Sequence, residues 1–411
     1  MNAIEITCVL FAIAAVFGMV SVRWLKLPVT VGTMLLTMLA SGVLIAASQG
    51  LPQIHRSAVD LVERIDFETL ILHGMLPLLL FAGAFLLDLE ELAKEKLTVS
   101  LLAVIGTVLS MFAVAGIMHI IPALGISWLQ CLIFGALISP TDPIAVLELL
   151  RRVGVPKSIH AQLAGESLFN DGIGAVLFLT MIEVARGQSP TAFHVAEFLL
   201  LKAGGAILVG IVAAWIVTQL MSRVNSYQVD ILFTISLAFG GYVLADLLHL
   251  SAPLEAVVAG IALRHFIHDL PDEVVDHDNV HGFWEVIDQI QNSVLFVLLG
   301  LEILAVTMNA STLRAGVAAI FSVNVVRLAV VAVLLGIVRL IRRNHVSSKF
   351  VLTWGGLRGG LSIALALSVP EALGRSWMLG ATYLVVVFSI VVQGGSMERL
   401  LRWRNNKLAR A

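Results

Sequence analysis

Eight consecutive residues, Gly165-Glu166-Ser167-Leu168-Phe169-Asn170-Asp171-Gly172, set two carboxylates, a hydroxyl and a carboxamide into an otherwise apolar stretch. On an α-helix Ser167, Asn170 and Asp171 fall at i, i+3 and i+4 and share one face. Glu166 and Asn170 are four apart, which makes the polar side broad enough for two tasks. Upstream, Ser139-Pro140-Thr141-Asp142-Pro143 adds a third acid and two prolines. Proline interrupts a helix, so backbone carbonyls around Thr141 are freed. Carboxylate, hydroxyl and carbonyl oxygens are the ligands that a hard cation takes. Where one carboxylate is the seat of both a monovalent cation and a proton, loading one requires release of the other. The chemistry on offer is exchange.

Such residues need elements to hold them, and composition says what kind. Of 411 residues, 59% are hydrophobic and 13% charged, against roughly a quarter charged in soluble domains. A soluble core could not hide so much apolar surface, so the expected solvent is a lipid bilayer. With 26 basic and 28 acidic residues, no basic excess exists to hold nucleic acid. Cys8 and Cys131 lie inside apolar runs, and no disulfide framework is implied. The run from Ile4 to Val22 has no basic residue before it and reads as a retained first helix rather than a cleaved leader.

The expected fold class is an all-α polytopic membrane protein with thirteen transmembrane helices, beginning near residues 3, 28, 67, 98, 127, 158, 192, 228, 251, 285, 312, 347 and 376. Each run is about 20 apolar residues, enough to span a bilayer. With the N-terminus outside, the inner loops gather Arg23, Lys94, Arg152, Arg223, Arg342 and Arg402 with most other basic residues, while the outer loops hold Arg56, Arg64, Arg186, Arg314 and Arg375. That bias predicts a multi-pass protein of the cell inner membrane with its C-terminus in the cytoplasm.

Spans one to six (1–190) and eight to thirteen (228–400) form two sets of six, separated by a linker helix (191–227) and followed by a short cytoplasmic tail (401–411). The odd offset of seven helices makes the second set enter the membrane from the other side, an inverted repeat. Within the first set the fifth helix is broken by the Ser-Pro-Thr-Asp-Pro run. Within the second, the fifth helix, twelfth overall, is broken by Gly355-Gly356-Leu357-Arg358-Gly359-Gly360. Paired breaks at matching positions of two halves point to a transporter's midplane site. Charged side chains at bilayer depth are costly and need a reason; here they are Asp142, Glu166, Asp171, Lys202, Asp246, Glu255, Arg327 and Arg358.

The run Glu166 to Asp171, the Ser139 to Pro143 break, Phe283-Trp284-Glu285 leading to Asn292-Ser293-Val294-Leu295-Phe296, Leu299-Gly300-Leu301, and Gly356-Leu357-Arg358-Gly359 together resemble the sodium/proton exchanger family. The likeness runs through nearly the whole chain and is to the electroneutral branch, which has Asn-Asp in the sixth helix. It implies a thirteen-helix fold with a dimerisation domain and a six-helix core that moves as an elevator, assembled as a homodimer. It implies Asp171 as the carboxylate for cation and proton, with Ser167 and the Thr141 region as further ligands. Asn170 and Asp142 would be supporting partners near the crossed breaks. Glu166 would pair with Arg327, and Arg358 would neutralise helix ends at the crossover. No cofactor is implied; the partners are Na⁺ or another monovalent cation and H⁺. One departure stands out: Leu80-Phe81-Ala82-Gly83 carries alanine where many relatives carry an acid on the third helix.

Physics agrees with that assignment. Half-helix ends bring partial charges together, positive at N-termini and negative at C-termini, and Asp142 and Arg358 have the signs to offset them. Glu166 paired with Arg327 leaves Asp171 as the unpaired acid. With Asn170 neutral, one cation is swapped for one proton.

The remaining residues have blander readings. Lys202 is expected to snorkel, Asp246 to be interfacial, and Glu255 to face a hydrated gap or pair locally, with replacement of the acid missing at Ala82 as its second reading. Ser293 reads as helix–helix glue and Asn292 as a support near the core. The histidines and acids from Arg264 to His281 read as a solvated loop. Two rival functions are an antiporter of K⁺ or an organic ion, and, from the enzyme class, an intramembrane aspartyl protease using Asp142 and Asp171 as a dyad. The second leaves the matched breaks without a role, so the expectation is transport without catalysis.

Overall fold

Several helices begin where a short polar side chain takes a backbone N–H that the first turn leaves free. The computed structural model describes residues 3–26, 29–47, 69–121, 124–144, 146–147, 150, 155–187, 192–224, 226–268, 270–271, 275–304, 306, 309–342, 348–397 and 399–401. In chain order the helices are α1 (Ala3–Val20), α2 (Val29–Ala46), α3 (Leu70–Phe85), α4 (Leu89–Ile120), α5 (Trp128–Ile138), α6 (Lys157–Ala185), α7 (Ala192–Met221), α8 (Tyr227–Leu247), α9 (Ala252–His268), α10 (His277–Leu301), α11 (Ala310–Ile341), α12 (Lys349–Trp354), α13 (Gly360–Leu367) and α14 (Arg375–Phe388). No strand occurs among the described residues. Asp88 accepts the Glu91 N–H at 3.1 Å to start α4. Ser127 and Gln130 close a reciprocal box at the head of α5, and Asn309 accepts the Thr312 N–H at 2.8 Å to start α11.

Nine helices among the described residues are long and apolar enough to cross a membrane, with α3 and α5 as shorter apolar helices. The expected thirteen spans exceed that number for local reasons. Helix α9 has 17 residues, and the two interrupted spans are divided into short pieces, α5 with the turns from Ile144 and α12 with α13. Two expected starts shift. The fourth span begins at Leu89 rather than near 98, because the Asp88 cap and the acidic first turn of Glu90 and Glu91 carry the helix beyond its apolar run. The tenth begins at His277 rather than near 285, where Asp276 accepts the Asn279 N–H at 3.0 Å.

The loop expected from Arg264 to His281 is consequently shorter. Arg264, His265 and His268 end α9, and His277 and His281 open α10. Of its acids, Asp269, Asp272 and Glu273 lie outside the described residues, as do Arg56, Arg64, Arg151, Arg152 and the tail from 402.

Four apolar clusters hold the described helices together, and two of them are the most extensive. One joins α4, α5, α6, α11, α12, α13 and α14 with Val31 and Met34 of α2 and Phe296 and Leu299 of α10. The other joins α3, α7, α8, α9 and α10 around Phe81 and Trp284, whose indole N–H donates to Thr234 Oγ1 at 3.0 Å. Glycines let backbones touch, as is usual between membrane helices. A Cβ on Gly135 of α5 would lie 2.3 Å from the Met111 carbonyl oxygen of α4, and one on Gly260 of α9 would lie 2.7 Å from the Phe81 carbonyl oxygen of α3. Large side chains such as Phe11, Trp24, Leu208, Phe321 and Leu340 face outward, where lipid is the matching solvent. Cys8 is exposed, Cys131 is buried, and both are free.

Candidate functional site

Helix α5 stops at Ile138, and helical turns resume only at Ile144. Helix α12 stops at Trp354, and α13 starts at Gly360. The two interruptions meet and are stitched together. The Asp142 N–H donates to the Leu357 carbonyl at 2.9 Å. Arg358 Nη1 donates to the carbonyls of Ser139 at 3.0 Å and Pro140 at 2.9 Å. A guanidinium therefore sits on the negative end of α5, while the Asp142 Oδ1 accepts the Ile144 N–H at 3.1 Å at the positive end of the resumed helix. Asp142 presses so closely on the second break that a Cβ at Gly359 would lie 2.0 Å from its Oδ2. Gly359→Ala should displace that carboxylate and cost about 1–3 kcal/mol of stability; thermal unfolding of the purified variant measures it, and an unchanged melting temperature would contradict the contact.

Helix α6 passes the first break with its polar face. Asn170 spends its amide entirely on Thr141: Nδ2 donates to Thr141 Oγ1 at 2.8 Å, and Oδ1 accepts the Thr141 N–H at 3.1 Å. Ser167 Oγ donates to the Thr141 carbonyl. Next to them Asp171 makes no hydrogen bond and no ion pair with any described residue. Its other acidic neighbour on α6 is paired. Arg327 of α11 binds Glu166 with both terminal nitrogens, Nη2 to Oε2 at 3.0 Å, and the same Nη2 donates to the Leu352 carbonyl near the end of α12 at 2.7 Å. Glu166 is 1% and Arg327 8% exposed. A bidentate pair with an added carbonyl is the geometry that lets two charges survive burial.

A cavity of about 440 Å³ opens beside these groups, bordered by Thr141, Asp142, Ser167 and Asp171. It extends to the membrane face that carries Asp88, Glu91, Lys157 and His160, of which Asp88 and Lys157 are exposed. The structure thus brings Asp171, Ser167, Thr141, Asn170, Asp142 and Arg358 to one crossing, and sets Glu166 with Arg327 immediately behind it. Sequence reasoning overlooked the cavity-lining Ser362 and Asp288. Ser362 carried a signal, a polar residue just beyond the glycine break; Asp288, in a polar stretch of α10, carried none.

Other expectations fare differently. Lys202 reaches Glu183 at 3.2 Å, both partly exposed, and Asp246 is exposed at the end of α8. Glu255 does not border this cavity and is wholly buried, and both its carboxyl oxygens lack a partner among the described residues. The α8–α9 contact is closed by small residues, and a Cβ at Gly241 would lie 2.3 Å from Glu255 Oε1. Ser293 returns its hydroxyl to Gln289 of its own helix at 2.8 Å, the i−4 carbonyl that a helical serine can reach. It is therefore not interhelical glue. Asn292 is buried with its Oδ1 unpartnered. No cluster of three or more metal-ligating side chains occurs among the described residues.

Comparisons with known proteins agree with one another. The model of a family described as "Sodium/hydrogen exchanger, transmembrane" matches residues 11–403. The Na(+)/H(+) antiporter NhaP of Pseudomonas aeruginosa is 36% identical over 97% of this chain and 96% of its own. The Na(+)/H(+) antiporter NhaH of Halobacillus dabanensis is 34% identical over 82% of this chain and 83% of its own. Among solved structures, that of the sodium proton antiporter MjNhaP1 from Methanocaldococcus jannaschii at pH 8 superposes with a TM-score of 0.76, at 20% identity over 97% of both chains.

Proposed function

This chain belongs to the sodium/hydrogen exchanger family, and we propose that it is a secondary antiporter exchanging a monovalent cation, foremost Na⁺, for H⁺ one for one across the cell inner membrane. Asp171 is the carboxylate that the two ions occupy in turn. The observation that carries this reading is a carboxylate at the crossing of two broken helices, bordering a cavity, with no hydrogen-bond or ion-pair partner among the described residues. Ser167 and Thr141 supply further oxygens to the cation. Asn170 fixes Thr141, Asp142 and Arg358 balance the helix ends, and Glu166 with Arg327 anchors α6 to α11 and α12.

Counting each interrupted span as one, the architecture is thirteen spans in two inverted sets, 1–190 and 228–400, with 191–227 between them and 401–411 as the tail. The basic residues of the inner loops favour an outside N-terminus and a cytoplasmic C-terminus. In that orientation the cavity mouth at Asp88 and Lys157 is cytoplasmic, which supports an inward-facing state. Alternating access then follows an elevator motion of the crossed-helix body against the α3, α7–α10 scaffold, within a homodimer.

Electroneutrality follows from charge accounting at the site. Asn170 carries none, Glu166 is cancelled by Arg327, and one carboxylate takes one positive charge of either kind. The test is proton release from proteoliposomes given Na⁺, Li⁺ and K⁺ in turn. Na⁺-driven exchange should change less than about twofold when a potential of either sign is imposed, since one charge moving through 100 mV is worth about 2.3 kcal/mol. A steep voltage dependence would overturn the one-for-one stoichiometry; release by K⁺ alone would reassign the cargo.

A further inference from the structure

The cavity's walls differ in what they offer a cation. From α3 come Leu76, Leu79, Leu80 and Gly83, none with a side-chain oxygen; Phe81 and Ala82 are fully buried and provide none either. Oxygens come from the opposite side, and those of Ser167 and Thr141 each make one bond already while keeping a lone pair for an ion. The hydroxyl proton of Ser167 goes to the Thr141 carbonyl, and the Thr141 hydroxyl accepts from Asn170. A hard cation leaving water needs several oxygen ligands, so the inventory around Asp171 is short.

Ser362 meets the shortage. It is the third residue of α13, borders the same cavity as Asp171, is 1% exposed, and its Oγ has no hydrogen-bond partner among the described residues. Ser139 and Ser322 return the hydroxyl to the carbonyl four residues back, to Gly135 at 2.6 Å and to Ala318 at 2.7 Å. For Ser362 that residue is Arg358, inside the unwound break, where no carbonyl stands in helical register. The break thus removes that acceptor, and a buried hydroxyl without a partner is costly to retain. A cation at the start of α13 would meet the positive helix end, but the Asp142 carboxylate against Gly359 offsets it.

We propose that Ser362 Oγ is a cation ligand of this site, so that the ion is held between both broken helices. This rests on the reading of Asp171 as the cation carboxylate.

The experiment compares wild type, Ser362→Ala, Ser362→Thr and Asp171→Asn in proteoliposomes, with Na⁺ and Li⁺ titrated separately and melting temperatures measured. Ser362→Ala should raise the apparent KM for Na⁺ about five- to tenfold at nearly unchanged maximal rate, alter the Na⁺/Li⁺ preference, and leave the melting temperature equal or higher. Ser362→Thr should restore the KM to within about twofold. A purely structural hydroxyl would lower the melting temperature and leave both KM values alone, and that result overturns the proposal. If Ser362→Ala does not fold, Ser362→Cys, whose sulfur is a poor ligand for Na⁺, carries the same test, and a wild-type KM in it is equally fatal. Asp171→Asn separates the two readings. Exchange surviving in that variant removes the carboxylate assignment itself; a dead Asp171→Asn beside a Ser362→Ala of wild-type KM removes Ser362 alone.

Discussion

Asp171→Asn should bring Na⁺-driven proton release down to that of protein-free liposomes. The amide keeps the size of the side chain but can neither bind a proton in the transport range nor present a full negative charge to a cation. Because Asp171 makes no hydrogen bond or ion pair with a described residue, the substitution breaks no structural contact. Stability should remain within about 0.5 kcal/mol of wild type, as for changes away from packed or bonded groups. The pairing of total inactivity with intact folding is the informative result, read from a pH-sensitive dye in the lumen and a melting curve in detergent. Retained exchange in a folded Asp171→Asn protein would refute the assignment.

Glu166→Gln should do the opposite, damaging the fold more than the site. Removing one member of a buried pair strands the other charge, at a cost of about 3–5 kcal/mol. Arg327 would keep the Leu352 carbonyl and one carboxamide oxygen but lose its counter-charge and the second acceptor. The expected signs are lower yield, a shifted elution profile and a melting temperature well below that of Asp171→Asn. Replacing both members with apolar residues, Glu166→Leu with Arg327→Met, should recover part of the loss, since paired burial is itself costly. Recovery should be incomplete because the Leu352 carbonyl then loses its donor. A Glu166→Gln protein as stable as wild type would show that the ion pair does not anchor α6.

How much of this was legible in the sequence depends on whether a residue's role follows from chain geometry or from its neighbours. Both helix breaks were legible because proline and clustered glycine act on the backbone directly. The grouping of Ser167, Asn170 and Asp171 was legible because i, i+3, i+4 spacing is intrinsic to a helix. The starts of α4 and α10 were misplaced because hydropathy finds the apolar run and passes over the capped, charged turn before it. Glu95, in that added segment of α4, is buried and accepts from Gln162 Nε2 at 3.0 Å; nothing in a linear reading ranks it above its exposed neighbours. The enclosure of Glu255 was not legible because Gly241, which packs against it, belongs to another helix. Ser362 was missed for the related reason that an absent partner leaves no mark in a string of letters.

The stitches across the two breaks have a mechanical corollary. Arg358 from one half of the chain grips Ser139 and Pro140 in the other, and the Asp142 amide grips Leu357 in return. Prising the crossing apart would strip charged and backbone groups from their partners inside a low-dielectric slab, at several bonds' expense for each turnover. By contrast, α6 rides past α3 and α9 on greasy, smooth surfaces, Leu168 over Gly83 and Gly172 over Leu254. On the proposed elevator reading, the crossing would act as a rivet and the α6 flank as a bearing, with the ion pocket carried as cargo in a closed frame.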